Sequence, residues 1–150
     1  MKKIYLVFIA TLIILGVVSY NFFAEEKYSG KEITVYKSES CGCCVNYIPY
    51  LENEGFKVNV KIMDNMDEIK KKYNIPKNME SCHTAIIGNY FVEGHVPMKA
   101  VNNLLDEKPD INGIALPDMP SGSPGMPGTK AGSWIIYSIK NNEISEFMRI

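Results

Sequence analysis

The chain has 150 residues, 46% of them hydrophobic and 22% charged, with a formal net charge of −1. That length leaves room for one domain and little more. Arg149 is the only arginine, so there is no basic stripe and no aromatic platform interleaved with arginine, and a nucleic-acid surface is excluded.

Lys2 and Lys3 precede an apolar run from Ile4 to Val18 that continues through Tyr20 to Phe23. A positive start before a long apolar stretch is the pattern of a secretory signal, and the run approaches the ~20 residues that span a bilayer. Residues 1–24 are therefore expected to be a signal peptide or a membrane anchor. Ser19 and Ala24 are candidate cleavage points, but neither has a convincing small-x-small flank. The positive-inside rule places residues from 25 onward outside the cytoplasm, in the periplasm or on the outer face of the membrane, anchored or secreted. Removing the leader takes two lysines with it, moving the formal charge from −1 to −3. It leaves about 125 residues, enough for a core without disulfide staples.

Residues 25–31 are polar and form a linker to a domain at 32–150. Ile33–Tyr36 alternates and predicts a strand. After a loop at 37–40 and a cysteine cluster, Val45, Ile48 and Leu51 recur at helical spacing, with Gly55 as the C-terminal cap and Pro49 as a kink. Residues 56–62 alternate again as a second strand. Asp64 is positioned to cap a short charged helix through Met66, Ile69 and Tyr73, closed by Pro76. Thr84–Ile87 and Tyr90–Val92 flank Gly88-Asn89 as a hairpin. Pro97 suits the first turn of a helix bearing Val101, Leu104 and Leu105. Residues 109–132, rich in Pro and Gly, carry no period and predict a long loop. Trp134–Ile139 and Ile144–Phe147, joined by Asn141-Asn142, predict a closing hairpin.

The predicted order is β-α-β-α-β-β-α, then a loop and a hairpin: an α/β, thioredoxin-like single domain after a hydrophobic segment. Cys41-Gly-Cys-Cys44 lies between first strand and first helix, where such folds keep their chemistry. The third strand should start beside that helix's N-terminus, so Cys82 and His83 are expected to face the cluster. Where thioredoxin-like proteins carry a cis-proline, this chain has Ser81-Cys82-His83-Thr84.

Four cysteines in an exported domain ordinarily mean two disulfides. Here three lie within four residues and only Cys82 is distant, so two well-formed bridges are hard to draw. Unpaired N–H groups and the helix dipole favour thiolates at a helix start. Thiolates suit Cu(I) and Zn(II). Cys43 and Cys44 point in different directions, so Cys41, Cys43 and Cys44 do not make three corners of one tetrahedron. Bridging thiolates around several copper ions suit them better, and a zinc finger lacks its second ligand pair. Met119 and Met126 stand in a loop with no evident core and add soft ligands, whereas Met66 reads as core. For Cys82 and His83, core packing and a satisfied hydrogen bond compete with ligation. His95, before the Pro97 helix, reads as a local cap or hydrogen-bond partner, with ligation the lesser alternative.

Four motifs in one order carry a family resemblance: Cys41-Gly-Cys-Cys44, Ser81-Cys-His-Thr-Ala85, Glu93-Gly-His-Val-Pro97, and Gly113-Ile-Ala-Leu-Pro117 with the Met119–Met126 loop. Across about residues 32–148 the chain resembles the family catalogued as domain of unknown function 411, which includes a periplasmic copper-resistance protein. The resemblance implies a thioredoxin-like fold and a cysteine-bridged copper cluster used in copper resistance, with a role in Cu(I)/Cu(II) redox handling. It matches Cys41, Cys43, Cys44 and Cys82 to the family's cysteines, and His83, Met119 and Met126 to its other recurrent donors. Copper ions and copper-transfer proteins are the expected partners, with the membrane added when the leader is uncleaved. Two other classes stand beside this: a thiol–disulfide oxidoreductase using Cys41 and Cys44, and a tethered interaction domain with one structural bridge.

Overall fold

A computed structural model describes residues 11–13, 15 and 28–150. Thr11–Ile13 and Leu15 are helical. The rest of the predicted leader, and the linker up to residue 27, lie outside the described residues. Among the described residues no helix is long and apolar enough to cross a membrane.

The first strand, β1 (Glu32–Lys37), buries alternate residues, Ile33, Val35 and Lys37, against the core. The first helix, α1 (Cys44–Asn53), buries Cys44, Tyr47 and Leu51. That stripe begins one residue before the expected one, and Val45 is 66% exposed. The shift arises because Cys44 itself faces inward. Pro49 lies inside α1, where it lacks the N–H that would reach the Val45 carbonyl. Gly55, at φ +89°, ends the helix as expected. Its N–H donates to the Glu52 carbonyl and that of Phe56 to the Leu51 carbonyl, the paired bonds of a Schellman cap.

Strand β2 (Lys57–Ile62) runs parallel to β1, with Glu32 opposite Lys57 and Lys37 opposite Ile62. Helix α2 (Asp67–Lys72) follows. Asp64 does not cap it: the helix starts three residues later, and the Asn65 side-chain oxygen accepts the Asp67 N–H at 2.9 Å. A 3-10 turn at Lys77–Met79 leads to β3 (His83–Ile87) and β4 (Tyr90–Glu93), an antiparallel hairpin pairing Thr84 with Glu93. Helix α3 (Met98–Glu107) begins directly after Pro97 and buries Val101, Leu104 and Leu105.

The expected loop at 109–132 contains a further strand, β5 (Gly113–Ala115), parallel to β4 and buried at all three positions. Three residues buried throughout leave no alternation to read. Strands β6 (Ile135–Lys140) and β7 (Glu143–Arg149) close the chain as an antiparallel hairpin. The result is one mixed seven-stranded sheet, ordered β2-β1-β3-β4-β5-β6-β7. Its main core joins Ile33, Val35, Tyr47, Leu51, Val101, Leu104, Ile114 and Ile136. β1 and β3 are neighbouring antiparallel strands, with Lys37 opposite His83, so the end of β1 and the start of β3 meet at one end of the sheet's strands.

Candidate metal centre

That meeting point builds the site. The chain leaves β1, turns through Ser38–Ser40, and enters α1 at Cys44, so Cys41, Cys43 and Cys44 surround the helix N-terminus. Cys41 and Cys44 are joined by a disulfide, and both are buried. Cys43 remains a free thiol, with its Sγ 3.6 Å from that of Cys41 and 3.1 Å from that of Cys82. Cys82 stands immediately before β3 and is the other free thiol.

Two imidazoles complete the group. Cys82 Sγ is 3.2 Å from His83 Nδ1 and 3.3 Å from His95 Nε2. Both histidines are fully buried. His95 Nδ1 is 2.7 Å from the Pro124 carbonyl oxygen, which can only accept, so the ring proton sits on Nδ1. Nε2 then presents its lone pair to Cys82, an orientation typical of metal-binding histidines. His83 Nε2 is buried and has no hydrogen-bond partner among the described residues. Tyr47, itself part of the core, packs against both rings, its centroid 4.6 Å from that of His83 and 5.1 Å from that of His95. Its hydroxyl donates to the Val96 carbonyl at 2.9 Å.

Burial governs the electrostatics. It pushes the Cys82 thiol up to about 12, and the hydrogen bond and charge of Cys43 add to the rise. Burial, aided by His95 and Lys70, lowers His83 to about 3, and burial also lowers His95. In the metal-free protein the pocket thus holds neutral imidazoles beside a protonated Cys82 thiol. A soft cation offered these donors would replace that proton.

The donor atoms fall into two groups, each within 4.8 Å: Cys41, Cys44, Cys82 and His83, and Cys43, Cys82 and His95. The structure therefore brings together the four cysteines and His83, and adds His95 more closely than the sequence indicated. The signal for His95 was its place in the Glu93–Pro97 motif. Its contacts come from Cys82 and from a loop 29 residues away, which local spacing does not reveal. Met126 follows Gly125, whose carbonyl accepts from the Asn46 side chain at 3.3 Å, so its segment lies against the start of α1. Met119, at φ 46° and 37% exposed, lies farther back along the same loop.

Fold and site together define a small α/β protein with a thiol–imidazole cluster at the start of its first helix. Residues 79–126 match the family described as "Protein of unknown function, DUF411". A solved structure described as "Copper resistance protein copG- Form 1" is 35% identical, covering 81% of this chain and 98% of that one, with a TM-score of 0.74. The structure described as "Copper resistance protein copG- Form 2" gives 35% identity, 81% and 99% coverage, and a TM-score of 0.75. No curated protein matches the chain. The chain belongs to the family these CopG structures represent, the DUF411 family to which its motifs pointed.

Proposed function

We propose that this chain is an extracytoplasmic copper-binding protein that holds several copper ions in a thiolate-bridged cluster on a thioredoxin-like domain. The observation that carries this reading is that the two donor groups share one sulfur, that of Cys82. A thiolate common to two soft-donor sets is suited to bridge two ions. The likeness to copper resistance proteins supports the choice of metal. The arrangement of β1, α1, β2, β3 and β4, with parallel β1–β2 and antiparallel β1–β3–β4, supports the thioredoxin-like assignment. Met119 and Met126 are further candidate ligands on the covering loop. Copper-transfer proteins are the partners such a site implies, and Cu(I)/Cu(II) cycling is the redox chemistry available to it.

In the disulfide form, Cys43, Cys82 and His95 are the free donors besides His83. Reduction of the Cys41–Cys44 bond by an external dithiol, which gives up two electrons and two protons and is itself oxidised to a disulfide, frees two more sulfurs. Anaerobic titration of reduced protein with Cu(I), against a competing chelator, is expected to load more than one ion per chain. The oxidised protein should load fewer. Cys82→Ser should lower the count, and loss of Cys41, Cys43 and Cys44 together should abolish tight binding. Undiminished binding by that triple variant would refute the cluster. A reporter fused after Ile150 is expected to be active only outside the cytoplasm, and cytoplasmic activity would overturn the localisation.

One observation favours a second reading. The Cys41–Cys44 disulfide spans C-x-x-C at a helix start, the arrangement of thiol–disulfide oxidoreductases. Cys43, 3.6 Å from Cys41, supplies a competing thiol and weighs against clean exchange. Insulin reduction by a protein that binds no copper would establish this alternative.

A further inference from the structure

Cys82 is held by no ladder of its own: β3 begins one residue later. Its position depends on the peptide that precedes it, and a buried ion pair grips that peptide. Lys70, on α2, and Glu93, at the end of β4, are 3% and 0% exposed and bonded to each other. The Lys70 ammonium donates to the Ser81 carbonyl at 2.9 Å, the carbonyl of the very peptide that bears the Cys82 nitrogen, and to Thr84 Oγ1 at 3.2 Å. Glu93 Oε1 accepts the Ser81 N–H at 2.5 Å, and Glu93 Oε2 accepts the Thr84 hydroxyl at 2.7 Å. Both main-chain polar groups of Ser81, and the side chain two residues after Cys82, are thus bound to one pair of charges.

A buried ion pair is a poor way to gain stability, because desolvating both charges offsets their attraction. This one is distinguished by where its remaining bonds go. The next residue, Gly94, donates its N–H to the His83 carbonyl at 3.2 Å, so Glu93 and Gly94 together fix the chain on both sides of Cys82. A Cβ at Gly94 would lie 2.8 Å from Ser81 Oγ and 2.6 Å from the Leu116 carbonyl oxygen, so the approach needs glycine.

We propose that Lys70 and Glu93 are positioning residues for the metal centre: they set the Cys82 sulfur at the junction of its two donor groups. The inference rests on the copper reading for its consequence, but the placement of Cys82 is testable without metal. Outer partners that orient metal ligands typically contribute 10–100-fold to affinity.

Two double variants test it, each removing both charges so that none is left buried and unpaired. Lys70→Met/Glu93→Gln keeps an amide oxygen for the Ser81 N–H. Lys70→Met/Glu93→Leu keeps the volume and removes the acceptor. Circular dichroism and thermal melts identify folded protein. In the metal-free state, alkylation of Cys82, followed by mass spectrometry relative to Cys43, is expected to speed up severalfold in the Leu variant and to stay near the parent rate in the Gln variant. Cu(I) competition should show about 10–100-fold weaker binding for the Leu variant, with the Gln variant restoring most of it. Parent-like alkylation and affinity in a folded Leu variant would overturn the proposal, as would equal losses in both variants. If the parent binds no Cu(I), the copper reading fails, while the alkylation rates still decide whether the pair places Cys82.

Discussion

Tyr47 illustrates how much one side chain carries in this site. It is wholly buried, its ring lies against both histidines, and its hydroxyl satisfies the Val96 carbonyl. Tyr47→Phe retains the ring and leaves that carbonyl without its donor, an expected loss of about 1–3 kcal/mol. Tyr47→Ala also opens a cavity beside His83 and should cost about 3–5 kcal/mol. Urea denaturation of the metal-free protein measures both, and equal effects would mean that the ring packing contributes little. From the sequence, Tyr47 has no evident partner, because His83, His95 and Val96 lie on segments more than thirty residues away. The cysteines were more legible. Three thiols on four residues are informative without any fold, whereas Cys82 needed the predicted topology to join them. The Cys41–Cys44 bond was foreshadowed only by the oxidoreductase alternative, which named that C-x-x-C pair, since crowding alone does not say which pair closes.

Among the elements, the covering loop depends on one close approach. Gly125 is at φ +79°, and a Cβ there would sit 2.8 Å from the Tyr47 nitrogen, inside the first turns of α1. Gly125→Ala is therefore expected to combine a left-handed alanine with a backbone collision. The strain alone is about 1–3 kcal/mol. Because the neighbouring Pro124 carbonyl holds His95 Nδ1, the same change should release the loop from that ring. Limited proteolysis between residues 117 and 133 reports the release as faster cleavage. A variant as resistant and as stable as the parent would contradict the packing. Regular elements could be foreseen where a repeating pattern or a turn signal marked them, as in β1, β2, α3 and the β3–β4 hairpin. The first helix was foreseen, but its buried stripe is rotated by one position, because Cys44 turns inward where Val45 was expected. Strand β5 escaped notice because its identity comes from pairing with β4 and β6, not from a pattern of its own.

At the scale of the whole molecule, the sheet brings its chemistry to one end. The turn after β1, the start of β3 and the residues following β4 all arrive there, and the sequence order of strands and helices foretold that convergence. The surface contributes less: Glu32 and Lys57 pair at 2.7 Å while both side chains stay mostly in water. Such an exposed pair adds little, so Glu32→Gln should leave the denaturation midpoint unchanged within error, and a clear drop would show that the β1–β2 pairing leans on it. The sulfur of Cys82, common to both donor groups, has a different consequence. Two ligands that must use the same atom do not bind as strangers. Whatever the first does to that atom's position and charge is felt by the second, and thermodynamic linkage makes the influence mutual. Since ordering a shared group is required only once, the second equivalent enters a site already arranged for it. On the copper reading, the binding curve should rise more steeply than independent sites allow, and Cys82→Ser should flatten it.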